Sequence, residues 1–226
     1  MNDWNKNFTE PTADEFLAEI RKRPDLIERL AIDRLKSVFE TPEEYIDYLI
    51  YDGDIESDGI IEFDAPNVIV KGNVKAKVLS LSNEKSGADE GGSFFVYGDV
   101  ECDYFENHFG KMTVIAGSLK VNKILNAEFD DSCLRVLKDV TAEYFHCPST
   151  WINVKGKAKF NYGDGYSLPL TGALYEDTKK SVEPEHSTKE SHKFLGIGEN
   201  LKKGEDIDDA VNDFMYYKFE ALKNNA

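Results

Sequence analysis

Between residues 49 and 163 apolar and polar positions alternate in short runs, and the runs break at a recurring phrase, apolar-x-Gly-Asp-apolar. It reads Tyr51-Asp52-Gly53-Asp54-Ile55, then Val70-Lys71-Gly72-Asn73-Val74, Val96-Tyr97-Gly98-Asp99-Val100 and Ile115-Ala116-Gly117-Ser118-Leu119. Two looser copies follow, Val136-Leu137-Lys138-Asp139-Val140 and Val154-Lys155-Gly156-Lys157-Ala158. Aligned on Gly53, Gly72, Gly98, Gly117, Lys138 and Gly156, the copies stand 19, 26, 19, 21 and 18 residues apart. Apolar columns run two places before the anchor, from Tyr51 to Val154, and two places after it, from Ile55 to Ala158. Further columns hold Ser57, Ala76, Cys102, Val121, Ala142 and Phe160, and Ile60, Leu79, Phe105, Ile124, Phe145 and Gly163.

Alternation of period two predicts strands with one buried face. Glycine followed by Asp, Asn or Ser reads as a corner, where glycine reaches backbone angles that other residues resist. Columns that match at a fixed interval predict that successive coils stack like on like and that equivalent strands pair in parallel. The expected fold class is mainly β: a single-stranded parallel β-helix of about six coils, with an α-helical N-terminal cap and a partly helical C-terminal tail. At a strand spacing of about 4.8 Å such a rod is roughly 29 Å long. The competing arrangement is an antiparallel sandwich of evenly spaced strands. Several columns aligning together favour the solenoid.

The division expected is 1–50 as cap, 51–163 as β-helix and 164–226 as linker and C-terminal helix. Thr12-Ala13-Asp14-Glu15 is a capping-box signature, followed by Phe16, Leu17 and Ile20 at helical spacing. Pro24 suits a first turn, and Leu26, Ile27, Leu30, Ala31, Leu35, Val38 and Phe39 make a stripe behind it. Thr41-Pro42-Glu43-Glu44, with Tyr45, Tyr48 and Leu49, predicts a third helix. Residues 83–92 read as a loop from one corner, and Thr178 to Glu190 as a polar linker. From Asp206 the pattern is helical again, with Ile207, Ala210, Val211, Phe214, Tyr217 and Leu222 on one side. That helix is expected to cover the last coil or to fold back along the rod.

Charge adds a second pattern. The 226 residues carry 43 acidic and 27 basic side chains, a net charge of −16. Residues 1–66 hold net −11, 67–163 net 0 and 164–226 net −5, so the acidity lies toward the two ends. Nucleic-acid binding is disfavoured for want of a basic patch. No apolar run reaches the ~20 residues of a membrane helix, and the first residues lack the apolar stretch of a signal peptide. The three cysteines are widely spaced, so a reduced, cytoplasmic protein without a disulfide framework or metal site is the expectation. No cofactor is implied.

The Gly-Asp corner with short apolar strands, over residues 49–163, resembles the bactofilin-like class of bacterial β-helices, which implies a scaffold that polymerises. A capped, acidic solenoid of this size is also similar to immunity proteins of bacterial polymorphic-toxin systems, which bind and neutralise a cognate toxin. Hexapeptide acyltransferases need an apolar residue at strict intervals of six. Val68 and Val74 fit, whereas Ser80 and Ser86 do not continue the series. Carbohydrate-active β-helix enzymes use carboxylate clusters, for which Glu101, Asp103 and Glu106 are candidates. His146-Cys147 invites a nucleophile reading, but spacing places no base or orienting group beside the thiol. Cys102 falls in an inward column.

One surface feature suggests binding. The place six after the anchor gives Val78, Tyr104, Lys123, Tyr144 and Tyr162, and two places on lie Ser80, Glu106, Leu125, His146 and Asp164. With outward parity the tyrosines rise as a stripe. Tyr104, Glu106, Tyr144, His146, Tyr162 and Asp164 are then the candidate partner-binding residues, because tyrosine offers area and a hydrogen bond together. An aromatic ladder that merely stabilises parallel strands is the alternative. The expected function is a non-catalytic, immunity-type inhibitor whose acidic surface occupies a basic toxin domain. A polymerising scaffold, and thus a homo-oligomer, is the second reading. A β-helix enzyme is the third.

Overall fold

The computed structural model describes residues 7–27, 47–81, 92–108, 111–128, 132–148, 150–163, 184–197 and 206–224. The chain forms the expected parallel β-helix. A two-residue strand, β1 (Phe8–Thr9), precedes twelve solenoid strands. These are β2 (Tyr48–Tyr51), β3 (Ile55–Ile61), β4 (Asn67–Val70), β5 (Val74–Leu81), β6 (Ser93–Val96) and β7 (Val100–Asn107). They continue as β8 (Met112–Ile115), β9 (Leu119–Ala127), β10 (Cys133–Val136), β11 (Val140–His146), β12 (Trp151–Val154) and β13 (Ala158–Gly163). Even-numbered strands pair in parallel in one sheet, and odd-numbered strands from β3 to β13 pair in parallel in the other. Six strand pairs are thus separated by five coil-to-coil steps.

Val70, Val96, Ile115 and Val136 stack in register, and so do Val74, Val100, Leu119 and Val140. Their side chains join one core between the sheets, with Phe94, Phe105, Phe145 and Phe160. Phe145 and Phe160 stack with ring centroids 4.3 Å apart. The core is closed at both extremes: Ile55 is 1% exposed and Phe160 2%. β1 pairs antiparallel with β2, and Phe8 packs on Tyr51 and Phe63.

The corners explain the Gly-Asp phrase. Each Asp or Asn carboxamide or carboxylate Oδ1 accepts the backbone N–H of the equivalent residue one coil on. Asp54 accepts from Asn73 at 2.6 Å, Asn73 from Asp99 at 2.8 Å, Asp99 from Ser118 at 2.7 Å and Asp139 from Lys157 at 2.7 Å. The reason for the glycine differs from the sequence expectation. Of the anchor glycines only Gly53 has a positive φ, +124°. At Gly98 and Gly117 the constraint is close stacking, because a Cβ would stand 2.3 Å from Asn73 Oδ1 and 2.2 Å from Asp99 Oδ1. At Lys138, the one anchor that is not glycine, the preceding corner residue is Ser118, which carries no Oδ1.

Helices cover the outward face of each sheet. On one side lie α1 (Ala13–Arg21) and α2 (Pro24–Ile27). Thr12 and Glu15 form the expected capping box. Phe16, Ile20 and Leu26 pack on the outward residues Ile50, Ile69, Phe95 and Val114. The described helices therefore lie along a flank, and the partner of the first coil's edge is β1. Tyr48 and Leu49, assigned above to a third helix, begin the solenoid in β2, because pairing with Asn67 and Val68 overrides helical spacing. The rest of that helix from residue 41 to 46, the second helix's stripe from residue 28 on, and residues 83–91 of the expected loop lie outside the described residues. In the C-terminal region the structure forms α3 (Thr188–Phe194) and α4 (Ile207–Asn224). The expected linker thus contains a helix start. Ser187 and Glu190 form its capping box.

Candidate functional site

The tyrosine column exists, but with a changed register. β3 and β9 each contain one extra residue, so Ile60 and Ile124, not Lys123, align with Val78, Tyr104 and Tyr144. The outward column is therefore Ile60, Val78, Tyr104, Ile124, Tyr144 and Tyr162. Ile61 and Leu125 take the inward places, and Asn126 replaces Leu125 between Glu106 and His146. A six-coil apolar strip facing outward requires a cover.

That cover is the chain's own C-terminal segment. Val211, Met215 and Phe219, one helical turn apart on α4, pack with Leu195 on Val78, Tyr104, Ile124 and Tyr144. Tyr144 is 0% exposed and Tyr104 8%. The proposed stripe is thus an internal docking face, which corrects its reading as an open partner surface. Of the expected apolar side, Val211, Phe214 and Leu222 do pack on the solenoid, joined by Met215 and Phe219, whereas Tyr217 faces solvent; the helix folds back along the rod. Tyr162 is half-buried and sandwiched between His186, at 4.4 Å, and Phe194, at 4.5 Å. Asp164 lies outside the described residues.

The polar members of the stripe are fastened beneath the same helix. Glu106, 6% exposed, accepts from Ser80 Oγ at 2.5 Å and lies 3.2 Å from Lys223 Nζ. Burial pushes the Glu106 carboxyl above the ordinary range, against the pull of Lys223 and Ser80. His146 Nε2 lies 3.1 Å from Asn212 Oδ1 of α4. Nearby, the hydrogen bond and charge of His108, whose Nε2 lies 3.6 Å from Glu128, hold the Glu128 carboxyl below its usual range. Cys147 is buried and donates from Sγ to Thr150 O at 3.4 Å, and burial pushes the Cys102 thiol up. A deprotonated nucleophile is disfavoured at Cys102 by that burial.

What α4 turns outward is different. Its two lysines both face the solenoid: Lys223 reaches Glu106, and Lys218 Nζ lies 5.4 Å from the Tyr104 ring centre. Asp208, Asp209 and Asp213 are exposed, as is Asp206 just before the helix. Glu220 shares Lys223 at 3.2 Å. Among the described residues the exposed large apolar side chains are Phe194, Tyr216 and Tyr217. Tyr216 is 59% exposed and Tyr217 67%. Their rings meet edge-on, with centroids 5.3 Å apart and planes at 75°. Sequence reasoning placed Tyr217 on the buried side and passed over Tyr216, Lys218, Lys223 and Asn212. The signal available was Met215 and Phe219, which continue from Val211 at intervals of four and exclude Tyr217 from the same side.

A second acidic feature is a cleft at the first coil, lined by Glu10, Asp47, Tyr48, Leu49 and Asp64. No group of His, Cys, Asp and Glu among the described residues is arranged to hold a metal ion. No described helix is long and apolar enough to cross a membrane. No family model, curated protein or solved structure matches the chain.

Proposed function

We propose that the protein is a non-catalytic binding protein, an immunity-type inhibitor that occupies a basic toxin domain with an acidic surface. The observation that carries this reading is the polarity of α4. Its lysines are committed to the solenoid, so the face it turns to solvent is anionic and bears two exposed tyrosines. A basic partner gains association rate from such a face. The net charge of −16 adds a long-range field of the same sign.

Two further observations support the reading over its rivals. A scaffold that grows end to end needs accessible coil ends, whereas Ile55, Ile152, Val154 and Phe160 are all buried. The backbone N–H groups of Glu185 and His186 donate to Phe160 O and Asn161 O, along the edge of the last coil. Of the groups a β-helix enzyme would draw on, Glu106 and His146 are buried against α4, while Glu101 pairs with Lys120 at 2.9 Å and Asp103 accepts from Asn122 at 3.1 Å. The test is calorimetric titration of the purified protein with the basic toxin-domain product of an adjacent gene. Binding that weakens steeply with salt and abolishes the toxin's activity supports the proposal. No binding at low salt overturns it.

A further inference from the structure

The pair Tyr216 and Tyr217 is unusual in its setting. Both side chains stand on the solvent side of a helix whose opposite side is well packed, so neither contributes to the core. Exposed aromatic pairs of this kind are enriched at interfaces rather than on free surfaces. Asp213 lies one turn before them and Glu220 one turn after, so each ring has a carboxylate at i±3 or i±4. The rings meet at 75°, which forms a notch with one aromatic face and one aromatic edge. A planar cation that stacks on a ring and donates in-plane N–H bonds to a carboxylate fits this arrangement. Guanidinium has that shape and ammonium does not. The protein uses the same contact internally, where Arg23 lies 4.9 Å over the Tyr97 ring and pairs with Asp25 at 2.8 Å.

We infer that Tyr216 and Tyr217, with Asp213 and Glu220, form an arginine-selective docking surface, and that the partner presents arginine rather than lysine side chains to the outer face of α4. This inference rests on the proposed basic partner and adds its chemistry and its place of contact. The outer face of a single well-anchored helix suits insertion into a partner groove.

The test titrates the full chain with labelled oligo-arginine and oligo-lysine peptides of equal length at low salt, followed by fluorescence anisotropy. The wild type should bind the arginine peptide more tightly. Tyr216→Ser/Tyr217→Ser should weaken arginine binding about tenfold, two stacking contacts of roughly 0.5–1 kcal/mol each. Tyr216→Phe/Tyr217→Phe should keep the affinity, because the ring faces remain. Unfolding midpoints of all three proteins should agree, since both side chains are exposed. If the serine variant binds as well as wild type while Asp208→Asn/Asp209→Asn does not bind, the docking surface is overturned and the acidic reading survives. If the wild type binds neither peptide, both fall.

Discussion

Replacing Lys223 by Met should loosen α4 from the rod in a pH-dependent way. The Lys223 and Glu106 side chains are 12% and 8% exposed, and their charged atoms lie 3.2 Å apart. At an effective dielectric constant of about 20, that separation corresponds to about 5 kcal/mol of attraction. Leaving one member of a buried pair alone typically destabilises by about 3–5 kcal/mol. The Ser80 bond to Glu106 survives the substitution, so the lower end, about 3 kcal/mol, is expected at pH 7. Burial already raises the Glu106 carboxyl, and loss of Lys223 raises it further. The folded state of the variant then holds that proton more tightly than the unfolded chain, whose glutamate titrates near ~4.3. The deficit relative to wild type should therefore be smallest below that pH and grow as pH rises through the folded value. Urea unfolding of wild type, Lys223→Met and Lys223→Met/Glu106→Gln at several pH values reads this directly. The double variant should recover to within about 1 kcal/mol of wild type, with no pH trend from this site. A deficit below about 0.5 kcal/mol that is flat in pH would mean a solvated surface pair and would refute the reasoning.

Three further outcomes follow from the same geometry. Gly98→Ala should destabilise by about 2–3 kcal/mol in chemical denaturation, because its Cβ meets Asn73 Oδ1 and Gly72 O, and Asn73→Ser should restore part of the loss. Lys111, 3% exposed and donating to Pro66 O at 2.7 Å, is lowered to about 7 by burial. The unfolded chain then binds more protons between about 7 and 10.5, so this group makes stability rise with pH in that window, and Lys111→Met should flatten the rise in unfolding scans. Thiol titration of the native protein should modify half-buried Cys133 before buried Cys102 and Cys147; equal rates for all three would contradict the packing described.

The winding of the chain was legible because each coil repeats the same columns. Val70, Val96, Ile115 and Val136 had to fall together in any parallel register. The covers were less legible, although their traces are present. β4 and β6 are buried at every position, which signals strands covered on both faces, and the outward residues Ile69 and Phe95 announce α1 and α2. The extra residues in β3 and β9 escaped detection because Ile60-Ile61 and Ile124-Leu125 are apolar pairs that satisfy either register. That ambiguity put Lys123 where Ile124 belongs and made an internal docking strip look like an amphipathic surface. A tyrosine in an outward column reads the same whether solvent or a returning helix lies over it. Only the position of α4 separates the two. The surface proposed for contact is therefore the outer face of α4 and not the column beneath it.

Tyrosine nitration of the native protein, mapped peptide by peptide, tests the central claim most directly, because the claim assigns opposite environments to two sets of tyrosines. Tyr216 and Tyr217, 59% and 67% exposed, should react fast, and Tyr104 and Tyr144, 8% and 0% exposed, should be protected until α4 is released. Nitration of Tyr144 at the rate of Tyr217 in the folded protein would contradict the account.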